Sequence, residues 1–168
     1  MKTTKELTAA GLLIAIAVIL SYPMFKLMGS IGFDSMPAFL GAAVIGPIAG
    51  GFIGSIAHMV SALLTGMPLS LPIHLVVAVT MYMSCFAYGW TRKRSNRYLA
   101  IIVGIVMNGP ISLGLSSLVA MAIGYPFAGM LMFATLIVPL TLAASVNVII
   151  ADVIVGFIGL RLSKSIGA

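Results

Sequence analysis

The sequence predicts an all-α, polytopic membrane protein, a bundle of six transmembrane helices with both termini cytoplasmic, and three observations carry that prediction. Of 168 residues, 61% are apolar and 7% charged, with a mean hydropathy of +1.22, whereas a soluble domain of this length needs a polar exterior. The apolar residues fall into runs long enough for about six spans, separated by proline, glycine or basic breaks. When those spans start in the cytoplasm, Lys2, Lys5, Arg92, Lys93, Arg94, Arg97, Arg161 and Lys164 share the inner side and Lys26 stands opposite, as the positive-inside rule favours. The chain reads as one integral membrane domain, 1–168.

The first span, about 7–22, follows a charged start as a signal peptide would, but no small-x-small cleavage site with polar sequence behind it follows, so it reads as a helix of the bundle. A break is expected from Tyr22-Pro23 through Gly32. The second span, 35–46, is short and ends at Gly46-Pro47, where proline lacks an amide and disfavours helical geometry in the residue before it. A tight turn there joins it to the third span, 47–65. Within that span Gly50, Gly54 and His58 recur every four residues and so share a helix face, smooth enough for another helix to approach and then suddenly polar. After Gly66-Met67-Pro68 through Pro72 comes the fourth span, 73–91, closed by the basic run Arg92 to Arg97. The fifth, 98–123, stops at Gly124-Tyr125-Pro126, and the sixth covers 136–161. The outer loops are then 23–34, 66–72 and 124–135, rich in turn formers and of the kind that serve as lids.

Polar groups inside such a bundle are costly unless paired or wetted, and there are few of them. His58 is placed in the outer half of the third span, His74 at the outer start of the fourth, Asn108 and Asn147 near mid-depth in the fifth and sixth, and Asp34 at the outer opening of the second. Together they can line one outward-facing cavity, imidazoles and carboxamides bonding a heteroaromatic ligand and Asp34 accepting from ligand hydroxyls. Tyr125 can stack on a planar ligand or anchor at the headgroup level. Each has a structural alternative: Asp34 as a helix cap, Asn108 satisfying backbone groups freed by Pro110, the histidines bonding carbonyls. Asp152, nine residues before Arg161 and so about 13 Å from the inner helix end, is expected to make a hydrogen bond within the bundle, after protonation if need be.

Several function classes drop out. The formal charge of +6 is spread over three membrane-flanking segments rather than a patch with aromatic platforms, so nucleic acid is not expected as a partner. Gly114-Leu115-Ser116-Ser117 offers a serine, but no histidine follows position 74 to act as its base, and only Glu6, Asp34 and Asp152 are acidic; no catalytic residue is assigned. Two histidines in different spans, one cysteine and twelve scattered methionines make no metal set, and no cofactor is expected. An autonomous proton-coupled carrier working through Asp152 stays open.

The basic N-terminus, a first helix rich in small residues, the short second helix, Gly46-Pro47-x-x-Gly50-x-x-x-Gly54, the basic loop after the fourth span and the basic C-terminus resemble the substrate-binding S-components of energy-coupling factor (ECF) vitamin transporters. That resemblance implies a six-helix protein of the bacterial cytoplasmic membrane. It also implies a micronutrient pocket near the outer face and partnership with a membrane coupling subunit and two cytoplasmic ATPases. No Walker A sequence is present, so ATP work falls to those partners. The family packs a small-x-x-x-small pattern of helix one on the coupling subunit; Gly11 and Ala15 match it, and ordinary bundle packing is the alternative. Metal-carrying relatives start Met-His, whereas this chain starts Met1-Lys2. The segments from Gly29 to Ser35, His58 to Leu69 and Leu71 to His74 look like members assigned to α-ribazole, the dimethylbenzimidazole nucleoside salvaged for cobalamin; a thiamine-type pyrimidine suits the same groups.

Overall fold

Glycine and alanine decide how the helices of this protein meet, and the computed structural model, which describes residues 3–28 and 35–166, shows where. The described chain is helical between short turns. Helix α1 is Thr4–Met28, α2 Met36–Val44, α3 Pro47–Leu64, α4 Leu71–Arg94, α5 Arg97–Ala122 and α6 Gly129–Ile166. All but α2 carry a stretch long and apolar enough to cross a membrane. With 9 residues, α2 rises only about 14 Å.

Two boundaries differ most from those expected. Helix α1 continues through Pro23 to Met28 instead of ending at 22, a continuation that membrane helices tolerate because neighbouring groups take over the freed backbone partners. Helix α6 starts at Gly129 rather than 136; Gly129 turns the chain in at φ 57°, and Thr135 Oγ1 donates to Leu131 O at 2.7 Å, which lets a polar residue sit inside the first turns. The 124–135 loop is correspondingly short. Helix α5 remains one rod across Pro110 by widening into a π turn at Met107–Ile111.

The glycine face of α3 lies where the sequence put it and finds α2. A Cβ on Gly50 would fall on the Cβ and Cα of Ala42 and stand 2.6 Å from its amide nitrogen; a Cβ on Gly54 would meet Ala38 Cβ at 3.2 Å. Ala42 is pressed from the other side as well, since a Cβ on Gly89 of α4 would lie 2.7 Å from Ala42 O. Three backbones therefore touch around one methyl group. Gly46, at φ 150°, makes the turn into Pro47 that brings α2 and α3 antiparallel. Beside this contact Phe39 meets Tyr88 edge-on at 5.3 Å, and with Ile53, Ala100, Val148 and Ala151 they form the buried core.

Asp152 sits at a different depth from the one expected. Its Oδ1 lies 2.7 Å from Arg92 Nε and its Oδ2 2.7 Å from Arg97 Nη2, while Tyr88 Oη donates to Oδ1 at 3.1 Å. Arg92 and Arg97 flank the inner turn between α4 and α5, so the carboxylate is level with that turn; counting back from Arg161 misplaced it because α6 runs on to Ile166. The partner is thus inside the bundle, as expected, but charged. One fully buried carboxylate joins α4, α5 and α6.

Candidate functional site

At the outer end, α3 and α4 each contribute a histidine to one pair. His58 Nε2 and His74 Nδ1 stand 3.2 Å apart, with ring centroids at 5.3 Å. His74 is buried, and its Nε2 accepts from the backbone N–H of Leu69 at 3.5 Å. An imidazole that accepts at Nε2 carries its proton on Nδ1, so that bond sets His74 to donate toward His58. The two sequence-predicted histidines form one unit.

The loop that supplies Leu69 is strained. Gly66 has φ 80°, and two residues with side chains, Met67 and Ser70, also lie in the left-handed region at φ 51° and φ 77°. Such conformations cost of order 1–3 kcal/mol each and persist only where neighbours over-determine them. Here the neighbours are His74, through Leu69, and Tyr125, whose Oη donates to Pro68 O at 2.9 Å. Tyr125 thus ties the α5–α6 loop to the α3–α4 loop. Beneath them Ile73, Leu113, Ala120 and Met132 make a small apolar core of their own.

The two asparagines meet at the start of α2 rather than beside the histidines. Asn147 Oδ1 accepts from Met36 N–H at 3.0 Å, and its Nδ2 donates to Ala143 O at 2.8 Å within α6. Helix α2 has no cap from its own Ser35 side chain, and Asn147 supplies one from across the bundle. Asn108, in the π turn, donates from Nδ2 to Ser35 Oγ at 3.3 Å. The fifth and sixth spans therefore hold the residue that follows Asp34 in the chain. Asp34 itself lies outside the described residues.

Sequence reasoning missed the hydroxyls that run alongside these groups. Thr80 Oγ1 and Ser112 Oγ are 2.6 Å apart between α4 and α5, and Ser116 and Ser117 are buried one turn further out, their hydroxyls without a hydrogen-bond partner among the described residues. Asn108, Ser112 and Ser116 recur every four residues, which is the signal that would have found the stripe. Ser21 Oγ donates to Ser61 Oγ at 2.9 Å, tying α1 to α3 one turn beyond His58.

On α1 the small residues divide between two faces. Ala10 and Ala17 are buried in the bundle, whereas Gly11 and Ala15 lie exposed beside Leu7, Leu12 and Ile19. A Cβ on Gly11 would meet nothing within 4 Å. The bundle makes no use of that glycine's smallness. Among the described residues no group of three His, Cys, Asp or Glu side chains is placed to hold a metal ion.

A family model described as the ECF transporter substrate-specific component matches residues 5–159. No curated protein and no solved structure matches the chain.

Proposed function

The chain belongs to the family of ECF transporter substrate-specific components, and from that premise we propose that it captures a vitamin or vitamin precursor at its outer end and passes it on by docking to a membrane coupling subunit driven by two ATPases. It is a multi-pass membrane protein and a transport subunit. The observation that carries the binding site is the His58–His74 pair locked to a strained outer loop, with Tyr125 holding that loop from the other half of the bundle. A paired imidazole unit so placed puts polar nitrogen chemistry and a flat ring surface at the end of an apolar wall, which suits a planar nitrogen heterocycle.

Our choice of ligand is α-ribazole, whose benzimidazole suits the imidazole pair and whose ribose hydroxyls suit Asp34 beside Ser35 and Asn108. Docking is assigned to the α1 face bearing Gly11 and Ala15, because that face is small, exposed and unused by the bundle. The proton-carrier alternative loses its residue, since Asp152 is engaged by Arg92 and Arg97.

The test is a thermal-shift panel on the purified chain, with α-ribazole, thiamine-type pyrimidines, other vitamins and their precursors. A ligand at 100 times its Kd should stabilise by about 2.7 kcal/mol. His58→Ala should abolish the shift while leaving the ligand-free melt close to that of the parent. Stabilisation by a pyrimidine alone redirects the ligand assignment; no stabilisation by any compound, with His58→Ala indistinguishable, refutes the site.

A further inference from the structure

On the inner half of α4, Tyr82, Phe86, Trp90 and Arg94 recur every four residues and so form one ladder down the helix. Tyr82 and Phe86 are stacked at 6.2 Å with 10° between their planes, Phe52 of α3 meets Tyr82 edge-on at 5.3 Å, and the Arg94 guanidinium lies 4.8 Å from the Trp90 ring centre. Phe52 is 53% exposed and Trp90 46%, so the ladder faces outward along the seam between α3 and α4. Gly51 permits the seam: a Cβ there would stand 2.6 Å from the Tyr82 ring.

At the foot of the ladder positive charge gathers, with no carboxylate paired to it among the described residues. Lys93 Nζ lies 3.5 Å from where a Cβ of Gly46 would be, over the amino-terminal turn of α3. That turn is the positive pole of its helix, and no side chain caps it. A lysine at such a pole is unfavourable unless a negative group lies between them. Among the described residues neither Lys93 nor Arg94 forms an ion pair, and the nearby carboxylate, Asp152, is taken by Arg92 and Arg97. The charges and the aromatic ladder have one common partner: a phosphate carrying acyl chains.

We propose that this seam is a binding site for an anionic phospholipid of the inner leaflet. The phosphate sits among Lys93, Arg94 and the first free amides of α3, and an acyl chain lies along Trp90, Phe86 and Phe52. A coupling-subunit helix on the same seam is the competing occupant; the combination of an unmatched cation pair with a lipid-facing aromatic stripe favours the lipid.

Trp90 is the single tryptophan of the chain and reports on its own neighbourhood. The full chain is reconstituted in phosphatidylcholine bilayers containing, at equal mole fraction, either brominated phosphatidylglycerol or brominated phosphatidylcholine, and Trp90 quenching is compared. Bound at this site, the anionic lipid is expected to show an apparent affinity advantage of about fivefold for each cation that contacts it. The ratio of the two lipids should fall to near one in Lys93→Gln/Arg94→Gln and to an intermediate value in Lys93→Gln, which leaves the Arg94–Trp90 stack intact. Taking the ratio within each variant removes any change in Trp90 emission itself. Equal quenching by both lipids in the parent overturns the proposal, as does an unchanged ratio in the double variant. Trp90 shielded from both lipids once the coupling subunit is co-reconstituted assigns the seam to protein docking instead.

Discussion

Substituting Gly50 by alanine adds one carbon at the tightest point of the bundle, so its effect can be worked from the backbone. The new Cβ would fall on Ala42 Cβ and Cα and stand 2.6 Å from Ala42 N, where ordinary contact begins at 3.4 Å. Ala42 cannot retreat, because Gly89 of α4 has closed in on its carbonyl from behind. Helix α2 must therefore move off α3 by roughly 1 Å, and a gap of that size forfeits a quarter to a half of each dispersion contact along the seam. Overpacking of this kind costs about 1–3 kcal/mol, occasionally more. The lost contacts of Ala38, Phe39 and Ile53 add to it. Against this stands the better helix propensity of alanine, about 1 kcal/mol. The net is a destabilisation of about 2–3 kcal/mol.

Gly11→Ala is the internal control, because its Cβ enters open space and only the propensity gain remains. Heating the two variants in detergent and following the surviving monomer by size-exclusion chromatography compares them directly. At about 2–4 °C per kcal/mol for a chain of this length, Gly50→Ala should melt about 5–10 °C below the parent and Gly11→Ala at or slightly above it. Because α2 begins at the Asn108–Ser35 contact, Gly50→Ala should also weaken ligand binding. Equal melting of the two variants would refute the three-backbone contact around Ala42.

Asp152→Asn leaves two guanidiniums facing each other without their carboxylate. Since Arg92 is 21% exposed and Arg97 45%, the loss should be about 2–4 kcal/mol, below the cost for a wholly buried pair, whereas Tyr88→Phe should cost about 1 kcal/mol; the same melting assay ranks them, and the reverse order refutes the cluster as drawn. Gly11→Leu or Ala15→Leu should leave the melt and ligand binding close to those of the parent while reducing co-purification with the coupling subunit at least tenfold; undiminished co-purification removes α1 from the docking surface.

Much of the fold was legible because lipid leaves few options for the backbone. Apolar runs, breaks at Gly46-Pro47 and Gly124-Tyr125-Pro126, and the Lys and Arg distribution were enough to lay out the helices. What the sequence obscured was proline inside helices: Pro23 reads as a stop and is none, since α1 runs on to Met28, a continuation that membrane helices tolerate. Asp152 shows a second limit. Its partners lie sixty and fifty-five residues away in the segment whose charges set the orientation of the bundle, and nothing local reveals that two of those arginines turn inward. At the candidate site, the pairing of His58 with His74 follows from both falling at the outer ends of adjacent spans. The role of Asn147 does not, since capping α2 from α6 is a tertiary fact with no periodic signature.

Helix α3 joins the packed inner half of the bundle to the candidate site at the outer end. Its inner half has no freedom, because Gly50 and Gly54 set α2 against it and Gly51 admits the Tyr82 ring of α4. Its outer half carries His58 and, one turn on, Ser61, whose hydroxyl receives Ser21 of α1. On the proposed function, a ligand that moves the His58–His74 pair acts on the helix end to which α1, the proposed docking helix, is tied by Ser21, while the glycine-packed end stays fixed. Any affinity the ligand adds for the coupling subunit must be returned as affinity the coupling subunit adds for the ligand. The Ser21–Ser61 contact is a polar link between α1 and α3, three residues from His58 on α3 and six from Ala15 on α1. Rigid glycine packing at one end and paired polar groups at the other give α3 the build that the proposed relay from an occupied site to the α1 surface requires.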